Sequence, residues 1–229
     1  MANKILNKNQ LHRIPEYLNL VKTLKGKGAR YVSCQEIADA LNLNQELVKK
    51  DIAVISTTSG IPNKGRDINQ LIRDIEMVLG YDDIHNAVLI GVGSLGSALL
   101  KYSGFEEYGL KIVAAFDQNP NVIGQKMNEI KISDIGDLKH TFKNYNAKIG
   151  IVCVPKSQAQ PIAEALEECG VMAIWNFAPV KIHLENKDII ISNTNMATSL
   201  AVLSHQLFIK KEKTKKKIEN NSFINDSRL

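Results

Sequence analysis

Gly91, Gly93 and Gly96 stand in the pattern G-x-G-x-x-G across Gly91-Val92-Gly93-Ser94-Leu95-Gly96. The chemistry this spacing can perform is the holding of a pyrophosphate. The first glycine permits a tight strand-to-helix turn, the second lets backbone approach the phosphates, and the third lets the helix pack close to the strand. The helix start adds unpaired N–H groups and the positive end of a dipole. Asp117 ends a second apolar run, 112–116, at the distance where a carboxylate can take the hydroxyls of an adenosine ribose. A carboxylate there would repel a 2′-phosphate, so NAD is favoured over NADP. A lone glycine fingerprint is weak; here the apolar run 87–90, the glycines, a helix-like segment, the second run and its terminal acid all agree. The competing reading of the same pattern is a Rossmann-like domain with another ligand, such as coenzyme A.

Elements must hold these groups in place. After Asp117 the chain alternates: a short strand at 130–132, a helix at 134–145, a buried strand at 149–154 that ends on Pro155, and a helix opened by the box Ser157-Gln158-Ala159-Gln160 and stopped at Gly170. A strand at 173–175 leads into Asn176-Phe177-Ala178-Pro179, and 181–184 and 189–192 flank a turn as a hairpin would. Strands alternating with helices give a doubly wound, mainly parallel sheet, with ligands at the carboxyl ends of the strands. Pro155 and Asn176, Phe177, Ala178 and Pro179 then face the glycine loop, where a nicotinamide would lie. A last helix, 196–210, carries Met196, Leu200, Leu203, Leu207 and Phe208 as one stripe.

The 229 residues carry a net charge of +5, unevenly spread. Residues 1–80 hold 12 Lys and Arg against 8 Asp and Glu, residues 81–209 hold 10 against 13, and residues 210–229 hold 7 against 3. A basic first part joined to an acidic second part suggests a polyanion on the first. No apolar run reaches the roughly 18 residues of a membrane span, and the first residues are too polar for a signal peptide. Cys34, Cys153 and Cys169 are odd in number and widely spaced, which points to free thiols in a reducing cytoplasm. The five histidines are scattered, so no metal site is expected.

Within residues 1–80, Pro15 can open a helix whose apolar face is Tyr17, Leu18, Leu20, Val21 and Leu24. Ser33-Cys34-Gln35-Glu36 is a capping box for a second, and Asn44 caps a third with Leu47, Val48, Ile52 and Ile55 inward. Two short helices joined by a tight turn are a helix-turn-helix. The third helix would read DNA with Gln45, Lys49 and Lys50, while Asp51 positions a neighbouring side chain. The run from Ser56 to Arg66 suits a hairpin wing that brings Lys64 and Arg66 to phosphates. Asp67 caps a fourth helix, ended by Gly80.

With these residues placed, the chain resembles the redox-sensing transcriptional repressor family Rex, from about Arg13 to Phe208. The most specific parts are Val48-Lys49-Lys50-Asp51, the glycine loop through Leu99, Tyr102-Ser103-Gly104-Phe105, Ala115-Phe116-Asp117, Cys153-Val154-Pro155, Ala159-Gln160 and Asn176-Phe177-Ala178-Pro179. The resemblance implies an N-terminal winged-helix DNA-binding domain (1–80), a doubly wound Rossmann domain for NADH or NAD⁺ (81–194), and a C-terminal domain-swapped helix (195–210); beyond it the lysine-rich composition of 211–229 predicts a basic, disordered tail. The resemblance adds Val154 and Tyr102 to the cofactor-binding set. It implies a homodimer on palindromic operator DNA that NADH closes and releases, derepressing genes of NADH reoxidation and fermentation. Three positions depart from the family. The wing has Asn63-Lys64-Gly65-Arg66 in place of Gly-Lys-Arg-Gly-Val-Gly-Tyr, Val122 stands where a lysine is expected, and an inter-domain Arg–Asp pair is Asn19 and Asn195 here.

The alternative function is an NAD-dependent oxidoreductase with an accessory helical domain. Hydride transfer needs a positioned proton donor. Tyr102 falls near the expected pocket, but His183 and His205 read as structural and no His–acid pair stands out, so no catalytic residue is expected.

Overall fold

Capping side chains set the first four helices. In the computed structural model, which describes residues 6–194 and 196–226, helix α1 (Lys8–Gly26) begins at a capping box made by Asn7 and Gln10. Pro15 therefore lies inside this helix and does not open it. It has no N–H for the Leu11 carbonyl, a defect of about 3 kcal/mol. Ile14, Tyr17, Leu18 and Val21 are buried along one face, and at roughly 1.5–3 kcal/mol per large apolar side chain that burial outweighs the defect. Helix α2 (Cys34–Leu41) starts at the expected Ser33–Glu36 box and stops where Asn42 turns left-handed. Asn44 caps α3 (Gln45–Ile55), and Asp67 caps α4 (Ile68–Leu79), which Gly80 ends.

Strands β1 (Tyr31–Val32) and β2 (Arg66–Asp67) pair antiparallel, and a bridge between Ile61 and Gly65 carries the hairpin outward. This is the wing. A side chain at Gly65 would put a Cβ 2.3 Å from the Val32 carbonyl oxygen, at a φ of +90°, so the wing closes against β1 only with glycine there. Val32, Ile37, Val48, Ile52, Ile55, Ile68, Leu71 and Ile75 join the α1 face in one core. The segment Gly104–Lys111 belongs to the same compact unit as the residues up to Ile84. There Tyr108 meets Tyr81 edge-on at 5.6 Å, and Lys22 bridges Glu76 and Glu107.

The second unit comprises His85–Ser103 and the chain from Ile112 onward. Its elements are β3 (His85–Ile90), α5 (Ser94–Lys101), β4 (Leu110–Asp117), β5 (Lys126–Met127), β6 (Ile130–Asp134), α6 (Leu138–Thr141), β7 (Ile149–Val152), α7 (Lys156–Cys169), β8 (Ala173–Asn176), β9 (Ile190–Asn193) and α8 (Met196–Asp226). The sheet runs β5-β6-β4-β3-β7-β8-β9. Strand β3 pairs parallel with β7, β4 with β6, β7 with β8 and β8 with β9, and β5 pairs antiparallel with β6. Central β3 is buried from Ala87 to Ile90, as a strand covered on both faces must be.

Three expectations fail here for local reasons. There is no hairpin at 181–192: Ile190–Asn193 joins the sheet parallel to β8. Ile182, Leu184 and Ile189 are buried in the core, and the Gln160 amide serves the His183 backbone, donating to its carbonyl (2.7 Å) and accepting from its N–H (3.1 Å). A helix side chain thus replaces a partner strand. For the same reason Gln160 makes no capping box, and α7 starts at Pro155 without a side-chain cap. The helix expected at 134–145 is broken, because Asp134 accepts from the Gly136 N–H and opens a tight turn before α6. Helix α8 spans Met196–Asp226, and lysine, frequent after Phe208, is a good helix former.

Candidate functional site

Three backbone segments leave the carboxyl ends of adjacent parallel strands. Register pairs Ile90 of β3 with Val152 of β7, and Val152 with Asn176 of β8. The glycine loop, Cys153-Val154-Pro155 and Phe177-Ala178-Pro179 therefore emerge side by side, at the point where strand order reverses. Between β3, β4, β7 and α7 lies a cavity of about 700 Å³, within the usual range for small-molecule sites.

Each glycine of the loop has a separate cause. Gly91 has φ +95°, and a Cβ on it would stand 2.8 Å from the Cys153 carbonyl oxygen. At Gly96 a Cβ would stand 1.9 Å from the Gly91 carbonyl oxygen. Gly93 differs: its φ is −73° and a Cβ there would meet nothing within 4 Å. The fold does not require glycine at 93, whereas a ligand lying on the loop would. Gly93 also ends the loop as the uncapped N-cap of α5, so no side chain takes the first N–H groups of that helix.

Asp117 closes the other side. Its Oδ2 accepts from the Val92 N–H at 2.6 Å and its Oδ1 from the Asn119 N–H at 2.8 Å. The carboxylate thus holds the glycine loop in shape, a bond sequence did not reveal. Each carboxylate oxygen has a further lone pair for an incoming hydroxyl.

Of the expected cofactor-binding residues, Gly91, Val92, Gly93, Asp117, Val154 and Pro155 line the cavity, and Ser94, Leu95, Gly96, Tyr102, Asn176, Phe177, Ala178 and Pro179 do not. Asn176 is fully buried. Its amide donates to the Val180 carbonyl and Asn193 Oδ1 and accepts from the Ala178 N–H, so it shapes the loop from behind. Phe177 packs on Trp175 at 4.7 Å, and Tyr102 is half exposed. Residues missed from sequence include Gln118, Asn119, Ser157 and Gln158, with Val122, Ile135, Pro161 and Ile162 as apolar lining. Position just past the β4 end could have signalled Gln118 and Asn119; the apolar group has no local signature. Cys153 also lines the cavity, but burial pushes its thiol up to about 12. It stays protonated at neutral pH and is a poor redox nucleophile. Among the described residues no group of three or more His, Cys, Asp and Glu could hold a metal, and no described helix is long and apolar enough to cross a membrane.

On the first unit, Lys49 and Lys50 of α3 are exposed and Gln45 is half-buried. The Lys49 ammonium bonds Glu46 Oε1 at 2.8 Å, and this hydrogen bond raises its pKa above the ordinary value. Lys50 makes no hydrogen bond or ion pair among the described residues. Lys64 is exposed at the wing tip, 5.9 Å from the Tyr31 ring centre. Arg66 is half-buried and donates to the Thr58 carbonyl, so it closes the wing from within. Asn19 is exposed on α1; Asn195 lies outside the described residues.

A model described as a CoA binding domain matches residues 82–180, and one described as a putative DNA-binding protein N-terminus matches residues 8–53. The redox-sensing transcriptional repressor Rex of Bacteroides fragilis is 39% identical over 214 residues, covering 90% of this chain and 96% of the relative. The chain belongs to the Rex family. The Rex repressor of Treponema denticola is 37% identical, over 88% of this chain and 95% of its own. Among solved structures, the Rex-family repressor RSP superposes with a TM-score of 0.81 at 27% identity, over 93% of this chain and 99% of that one. RSP in complex with β-NAD⁺ and operator DNA gives a TM-score of 0.83 at 27% identity, over 93% and 97%. Its complex with β-NADH gives 0.81 at 27%, over 92% and 98%. Rex architecture thus accounts for the helical first unit, the Rossmann sheet and the C-terminal helix, and a Rex protein is a transcriptional regulator, not an oxidoreductase.

Proposed function

We propose that this Rex-family chain is a homodimeric repressor that binds palindromic operator DNA through α3 and the wing, and leaves it when NADH occupies the cavity at the glycine loop. The observation that carries the reading is the open cradle at Gly93 beside Asp117, in a chain that superposes on RSP bound to β-NAD⁺ with operator DNA and to β-NADH. Gly91, Gly93 and the first N–H groups of α5, at Ser94 and Leu95, take the pyrophosphate. Asp117 takes the adenosine ribose. Val154 and Pro155 cover the dinucleotide, and Tyr102 with Phe177, Ala178 and Pro179 serves the nicotinamide end. When bound, NAD(H) supplies a redox-dependent difference in charge and shape; the protein binds and orients it and performs no hydride transfer of its own. Work on DNA beside a free nucleotide pool suits the cytoplasm.

The CoA binding domain match favours a second ligand. Coenzyme A carries a 3′-phosphate on its adenosine ribose, and Asp117 stands against that dianion as it does against the 2′-phosphate of NADPH. Two like charges 4 Å apart repel by on the order of 4 kcal/mol at an effective dielectric of 20. Even half of that is a factor of roughly 30 in affinity. Calorimetry should therefore give NADH binding at least about 30-fold tighter than NADPH or coenzyme A. Equal affinities would remove Asp117 from the ribose.

For the DNA side, Lys50→Ala should weaken operator binding and lower the salt slope by about one, with NADH affinity unchanged. Operator affinity equal to the parent's at every salt would exclude α3 as the reading helix.

A further inference from the structure

Two carboxylates of the DNA-binding unit are nearly fully buried: Asp51 is 2% exposed and Asp74 is 1% exposed. Asp51 belongs to α3, directly after Lys49 and Lys50, on the face it turns to the core. Its Oδ1 accepts from Gln10 Nε2 (3.2 Å) and Arg13 Nη2 (3.0 Å), and its Oδ2 from Arg13 Nε (2.8 Å) and the Tyr17 hydroxyl (2.9 Å). All three donors stand on α1. Asp74 belongs to α4. Its Oδ2 accepts from the Thr57 N–H (2.9 Å), and its Oδ1 from Thr57 Oγ1 (2.7 Å) and Gln70 Nε2 (2.9 Å). Thr57 comes just after Ser56, the C-cap of α3, at the entrance to the wing. The helix is thus tied to α1 at Asp51 and to α4 just past its exit, at Thr57.

Apolar side chains could fill the same volume at no loss of stability, but apolar contact is non-directional. The Arg13 fork on Asp51 is bidentate and fixes an angle as well as a distance. A helix that brings side chains to base edges needs that angle held. Burial drives the Asp51 carboxyl up, yet donation from Arg13, Tyr17 and Gln10 prevails and holds it below its ordinary value, so the tie is charged at neutral pH. Burial, with Asp51 beside it, pushes the Tyr17 hydroxyl up to about 12, so that donor stays protonated.

We propose that Asp51 and Asp74 are positioning residues for operator reading: without touching DNA, they hold α3 and the first residues of the wing at one angle against α1 and α4. This inference depends on α3 being the reading helix.

The test uses the full chain with Asp51→Asn, Asp74→Asn and the milder Tyr17→Phe, which removes one hydrogen bond from the Asp51 cluster. Affinities are measured for an operator duplex selected from random sequences by the parent chain, and for a scrambled duplex of the same length. The two Asn variants should bind the operator at least about tenfold more weakly, the size of one good base contact. Affinity for the scrambled duplex, its salt slope and NADH affinity should stay within about twofold. A merely structural role would lower operator and scrambled binding together, in step with lost helical signal, and would overturn the proposal. Should the Asn variants fail to fold, Tyr17→Phe decides: a folded variant with the parent's operator-to-scrambled ratio also overturns it. Failure of the underlying reading shows separately, as a Lys50→Ala chain with the parent's salt slope.

Discussion

Gly96→Ala is expected to unfold the dinucleotide-binding unit or lower its melting temperature by roughly 10 °C or more, while Gly93→Ala should leave that temperature unchanged or slightly raised and weaken NADH binding. The new Cβ at position 96 would sit 1.9 Å from the Gly91 carbonyl oxygen and 3.2 Å from Leu89 Cδ2. The first neighbour is backbone at the end of a fully buried strand and cannot swing aside. Helix α5 would have to lift by more than an ångström, and overpacking of even flexible neighbours costs about 1–3 kcal/mol. At position 93 the added methyl meets no atom within 4 Å, at an ordinary φ of −73°. Stability should hold or rise by about 0.4–1 kcal/mol, because alanine narrows the unfolded ensemble. The methyl does fill the space given to the pyrophosphate, so NADH affinity should fall at least about tenfold. Thermal unfolding and calorimetry on the two variants separate these effects. A Gly93→Ala protein that binds NADH like its parent would empty the cradle of its assigned ligand.

Leu203→Asp is expected to turn the dimer into a monomer. Along α8, Leu200, Leu203, Leu207 and Phe208 are 63%, 53%, 51% and 59% exposed, at spacings that put them on one stripe. Met196 opens the same stripe, though its side chain lies outside the described residues. Large apolar groups in such a row mark an association surface, and a second copy of the chain is the partner the Rex assignment supplies. Each leucine buried there contributes roughly 1.5–3 kcal/mol. Exchanging one for a carboxylate forfeits that and adds a buried, unpaired charge. Dimer dissociation should strengthen by a factor of about 1,000 or more. Sedimentation at a concentration where the parent is dimeric reads this directly, and a folded, dimeric Leu203→Asp chain would contradict the exchange of α8.

What was legible in the sequence was local. Ser33 with Glu36, Asn44, Asp67 and Gly80 mark helix ends through bonds only two to four residues long. The glycine loop and Asp117 are readable because the turn, the helix start and the second strand have fixed spacings. Pro15 misled because its ordinary place is a first turn, while the capping box lies upstream at Asn7 and Gln10 in less conspicuous side chains. Gln160 misled because an amide three residues into a helix reads as a cap, yet its partner is His183, 23 residues away. Nothing in periodicity separates the apolar lining Ile135, Pro161 and Ile162 from ordinary core. Asp51 was legible as an acid with a positioning task, but its four bonds reach back 34 to 41 residues to α1, and only the packed fold brings them together.

The most direct measurement titrates a labelled palindromic duplex, selected by the protein itself, with NAD⁺ and NADH in separate experiments at one fixed salt concentration. Coupling between two sites typically amounts to about 1–3 kcal/mol, or 5–150-fold. Saturating NADH should weaken operator binding by at least about tenfold, and NAD⁺ should not. Operator affinity that is the same with either nucleotide, each shown to be bound, would contradict release by NADH.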